Sequence, residues 1–173
     1  MKWSPTLLGH FFFFFLGSWL ISTIFIDFFA VMAVFKNVSN IFEAGKVGMY
    51  VFSSFNKFEI LFGFFLLLIS FKNPMENIKI KNTMIGLSLI LLGFALYYNF
   101  SLSPKITSLT YSMHDIGISN KGYEEAEKLH EVFHKRYVFM DSIKLFLLLT
   151  LLCLGIGKGK TFKGLNQEGE TKR

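Results

Sequence analysis

Asp141 and Lys144 interrupt a nearly all-apolar run from Val138 to Ile156. An ionisable side chain inside such a helix is expensive unless it is paired, so it marks a candidate functional site. At 100° per residue, Tyr123, Ala126, His130, Phe133, His134, Tyr137, Asp141 and Lys144 share one helix face. Glu124, Glu125, Lys128, Glu131 and Lys135 share the opposite, solvated face, which turns His130 and His134 inward. Two more acids complete the set. Asp27 stands about two turns before the end of the first apolar segment, and Glu59 about two turns into the second. The alternating direction of the chain then puts Asp27, Glu59, Asp141 and Lys144 at one depth, in one leaflet, with His134 and His130 just above. Carboxylates, a lysine and a histidine at one depth suit a cation site, a proton relay or a pocket for a small solute. The structural alternative is that Asp141 and Lys144, three residues apart, neutralise each other and the network only holds the helices together.

His130 and His134 also have the i,i+4 spacing at which two imidazoles bind one divalent metal from a helix face. The string from His130 to His134 matches H-E-x-x-H, in which Glu131 would be the general base of a zinc protease. Glu131 falls on the solvated face, and no downstream signature marks a third ligand. His10 raises haem, since histidine is a common axial ligand. It lies at the far end of the first segment, about 30 Å from the other three histidines, so one haem cannot take both ligands. Cys153 is the sole cysteine, which excludes a disulfide or a C-x-x-C site within one chain.

The elements that must carry these residues follow from composition. The 173 residues are 52% hydrophobic, with 23 phenylalanines and a mean hydropathy of +0.46, which points to an all-α polytopic membrane protein. Four transmembrane helices are expected: Leu7 to Phe35, Phe52 to Phe71, Thr83 to Leu102 and Val138 to Ile156. Gly86, Ile90, Gly93 and Tyr97 lie along one side of the third, and Gly17, Ser18 and Ser22 lie on the first; such small residues invite close helix contact. Two short amphipathic helices, Asn37 to Tyr50 and Ile106 to Ile116, are expected to lie at the interface. Asn40 with Glu43 has the form of a capping box. The bundle occupies residues 1–157, and a flexible polar tail occupies 158–173. The net charge of +6 does not imply nucleic acid, because the lysines flank apolar runs. Their clusters favour termini on the cytoplasmic side of an inner membrane, and the Phe-, Ile-, Lys- and Asn-rich composition suits an AT-rich bacterial genome.

The chain also resembles the transmembrane protein 205-like family. The resemblance rests on Trp19 to Phe35, Ala44-Gly45 with Phe52, Pro104-Lys105, and Phe133-His134-Lys135-Arg136 followed by Asp141. It implies a four-helix membrane protein of unassigned activity. His134 falls on the motif histidine, and Asp141 stands where the family pattern has Asn. His10 resembles, more distantly, the first-span histidine of copper-resistance and haem-associated small membrane proteins.

The resulting expectation is a non-enzymatic protein that binds or passes a cation, proton or small solute through Asp27, Glu59, His134, Asp141 and Lys144. The rivals are an accessory subunit, docking a membrane partner or a second copy of itself, and a metal- or haem-dependent membrane enzyme.

Overall fold

The computed structural model describes residues 5–73, 77–116 and 121–170. Among them there are only helices. Helix α1 (Pro5–Phe25), a π-helical segment (Ile26–Ala30) and α2 (Val31–Asn37) join without a break into one rod. Helix α3 (Ile41–Lys72) is the second rod. Helix α4 (Ile78–Tyr97), a second π-helical segment (Tyr98–Leu102) and α5 (Ser103–Ile116) form the third. Helix α6 (Lys121–Glu170) is the fourth. Stretches of 32, 31, 39 and 35 residues in these rods are long and apolar enough to cross a membrane, as expected of a multi-pass membrane protein. The tail expected from 158 overlaps the end of α6, beyond the last described side chain at Ile156.

The rods pack in a ring: α1 against α3, α3 against α4, α4 against α6, and α6 against α1. Local chemistry sets their starts. The Asn40 side chain accepts hydrogen bonds from the backbone N–H of Phe42 (2.9 Å) and Glu43 (3.4 Å), so it caps α3. Glu43 pairs with Lys46 at 2.9 Å, so only half of the capping box is built. Asn77 caps α4 through the N–H groups of Lys79 and Ile80. Pro104 has no N–H to offer the turn before it, and the helix accommodates it with the π-helical segment that ends at Leu102.

The core follows a helical stripe on each rod: Leu8, Phe12, Leu16 and Trp19 on α1, and Met84, Ser88, Leu91 and Ala95 on α4. This corrects the expected inward face of the third span, since Ile90 and Gly93 are exposed. A side chain added at Gly17, Gly86 or Gly93 would meet nothing within 4 Å. Close approach occurs elsewhere. A Cβ at Gly63 would lie 3.1 Å from the Leu92 backbone, and one at Gly155 would lie 3.0 Å from the Phe13 ring.

The two amphipathic stretches are also placed differently from the expectation. Residues 41–50 are the first turns of α3, and residues 106–116 continue the α4 rod, so neither is a separate short helix. They face each other: Thr110 Cγ2 lies 3.7 Å from where a Gly45 Cβ would stand, and the Phe42 and His114 rings meet edge to face at 5.7 Å. An apolar stripe that packs on a neighbouring rod has the same sequence pattern as one that lies on lipid.

Candidate functional site

The first turns of α3 and α6, together with α2 and α5, enclose a cavity of about 620 Å³. Its lining on α6 runs along a single face, through Tyr123, Glu127, His130, His134, Tyr137 and Asp141. Asp27, on the π-helical segment of the first rod, joins Asp141 in the lining. The π turn shifts the helical register by one residue at this point, and such turns recur at functional sites.

Behind this pair lies the cluster's centre. Lys144 is 1% exposed, and its Nζ donates to Glu59 Oε1 at 2.6 Å and pairs with Asp141. Glu59 is 0% exposed, and its Oε1 also accepts from Trp19 Nε1 at 2.9 Å. The Tyr98 and Phe55 rings stand 5.3 and 5.7 Å from the Lys144 ammonium, near enough for cation–π attraction. A second polar chain borders the first. Tyr137 donates to Asn56 Oδ1 at 3.2 Å, and Asn56 Nδ2 donates to Ser103 Oγ at 2.6 Å. The Tyr137 and Tyr98 rings are 4.8 Å apart, which joins the two networks. Three buried oxygens, Thr23 Oγ1, Glu59 Oε2 and Tyr98 Oη, have no hydrogen-bond partner among the described residues. An unsatisfied buried polar atom is costly and calls for an explanation.

The structure therefore brings Asp27, Glu59, Asp141 and Lys144 to one end of the cavity. His134 does not touch them. It is exposed and lines the cavity about 10 Å further along α6, seven residues before Asp141. His130 is half-buried, and its ring lies parallel to that of His134 with centroids 6.1 Å apart. Among the described residues, no group of three His, Cys, Asp or Glu side chains is placed to hold a metal. Glu131 pairs with Lys135 at 2.7 Å on the solvated face, away from the role that H-E-x-x-H would assign it. His10 is exposed on α1 and is not part of the cavity lining. Cys153 is exposed as well.

Sequence reasoning missed Trp19, Asn56 and Tyr98 as members of the site. Asn56 had a signal, since it stands one turn before Glu59 in an apolar helix. Trp19 had a weaker one: a buried indole N–H needs an acceptor, but nothing in an aromatic run says which tryptophan is buried. No family model, curated protein or solved structure matches the chain.

Proposed function

We propose that this chain is a four-span protein of a bacterial inner membrane that binds or passes a proton or cation at the inner end of its cavity. One observation carries this. Glu59 and Asp141 share a single ammonium, that of Lys144, and Asp27 lines the cavity with Asp141 and has no salt bridge among the described residues. With all four ionised, the cluster holds three negative charges and one positive. A charge imbalance in a low-dielectric site is relieved by taking up a proton or cation. The unpartnered oxygens of Glu59 and Tyr98, both beside Lys144, supply further acceptors.

The membrane setting is supported by the outer surface, where Phe14, Phe25, Phe29, Phe58, Phe71 and Phe146 are exposed. At 1.5 Å per residue the four apolar rods measure about 47 to 58 Å. A bilayer core is about 30 Å thick, so the rods overhang it. We place the overhang opposite the termini, with the amphipathic stretches 41–50 and 106–116 at headgroup level as walls of a vestibule. The lysine clusters beside the termini support a cytoplasmic position for them. The likeness to the transmembrane protein 205-like family supports the same architecture.

The test is ion flux. The full chain in liposomes holding a trapped pH dye is expected to carry protons under a potassium diffusion potential, and Asp27→Asn or Asp141→Asn is expected to slow that flux at least about tenfold. Flux no greater than in protein-free vesicles would overturn passage.

A further inference from the structure

The cavity, about 620 Å³ and largely apolar, has room for more than a bare ion or proton. We propose that the cavity binds an organic cation, with its positive group at Asp27 and its apolar body along the aromatic wall. This rests on the cation reading above and adds the class of ligand.

The volume, about 620 Å³, lies within the range of about 300 to 1,000 Å³ typical of small-molecule sites. Phe28, Phe35, Phe42, Phe52, Met49 and Met113 supply apolar and polarisable surface. The charged residues of the lining are Asp27, Glu127 and Asp141. No lysine or arginine is among the described lining residues, although the whole chain carries 18 and a net charge of +6. Lys144 stands beside the lining, but its charge is already met by Glu59 and Asp141. Asp27 is the carboxylate of the cluster with no salt bridge among the described residues.

The layout also fixes an orientation. From Tyr123 to Asp141 the lined face of α6 is about 27 Å long. The two aspartates are at its inner end, where α1 passes into the π turn. A ligand entering from the vestibule meets them charge first and leaves its apolar part between α2, α3 and α5. An anion of the same shape meets the same wall and is repelled at its end. Aromatic faces around an acidic terminus are the usual means of holding an ammonium-like group.

The experiment is equilibrium dialysis of the full chain in nanodiscs, with tetraphenylphosphonium as probe and tetraphenylborate as its anionic counterpart of the same shape. Tetraphenylphosphonium is expected to bind saturably, and tetraphenylborate is expected to show only the uptake of empty nanodiscs. Asp27→Asn is expected to weaken the cation at least about tenfold, while Asp27→Glu restores most of the binding. Asp115→Asn, a change of an exposed acid outside the cavity, is expected to leave it unaltered. Equal uptake of both probes, or no effect of Asp27→Asn in a protein that elutes and melts like the parent, overturns the proposal. So does a tightly held phospholipid that tetraphenylphosphonium does not displace, which would assign the cavity to lipid. Asp27-dependent proton flux without probe binding defeats this inference and leaves the proton reading standing. Loss of both defeats both.

Discussion

The ammonium of Lys144 on α6 reaches Glu59 on α3 at 2.6 Å, and both side chains are fully enclosed. These two helices are not neighbours in the ring of packed rods, so the bond crosses the bundle's interior. Breaking a buried pair by removing one partner typically costs about 3–5 kcal/mol, because the other charge is left behind. Lys144→Met strands two carboxylates and is expected to cost that much, read as a lowered melting temperature of the purified protein. The double change Lys144→Met with Glu59→Gln is expected to cost less than the sum of the singles by about 1 kcal/mol or more. Simple additivity would show that the pair carries no coupling.

Trp19→Phe keeps the ring and removes the donor to Glu59. A hydrogen bond to a charged group contributes about 1.5–3 kcal/mol, and the loss is expected within that range by the same melting assay. A wild-type melting curve for Trp19→Phe would mean that the indole does not serve Glu59.

Two glycines of the same type should behave oppositely. Gly63→Ala places a methyl 3.1 Å from the Leu92 backbone, which cannot move aside alone, and is expected to destabilise by about 1–3 kcal/mol. Gly86→Ala meets nothing within 4 Å and gains helix propensity, so stability is expected to be equal or up to about 1 kcal/mol higher. Equal effects at both sites would refute the packing of α3 on α4.

The side to which the cavity opens can be read by thiol labelling. In a Cys153→Ala background, Thr107→Cys and Met49→Cys in the lining are expected to react with a membrane-impermeant cationic thiosulfonate added outside spheroplasts. Leu91→Cys, at 0% exposure, is expected to stay unmodified. Labelling of the lining positions only in inverted vesicles would reverse the proposed orientation.

Chain direction made the convergence of Asp27, Glu59, Asp141 and Lys144 legible, because an acid two turns from a span's end has a fixed depth whatever the packing. Depth is not azimuth. From Met84 to Tyr97 α4 carries a single polar residue, so no stripe distinguishes an inward face, and the buried one (Met84, Ser88, Leu91, Ala95) is marked only by that serine. The stretches 41–50 and 106–116 show a clear stripe, but a stripe does not say whether lipid, a helix or a cavity covers it. The second π-helical segment has a cause in Pro104. The first, Ile26–Ala30, contains neither proline nor glycine, so nothing in its residues announces it.

Lys144 pairs with Asp141 within a single turn of α6 as well as with Glu59 on α3. In co-translational insertion this segment would leave the ribosome after the three before it, and before meeting them. Each charge alone would add about 2.5–3.5 kcal/mol to its passage from translocon to lipid. Carrying its own counter-ion, the segment would partition as a near-neutral unit, keep that pair, and add Glu59 of the second span to it on packing.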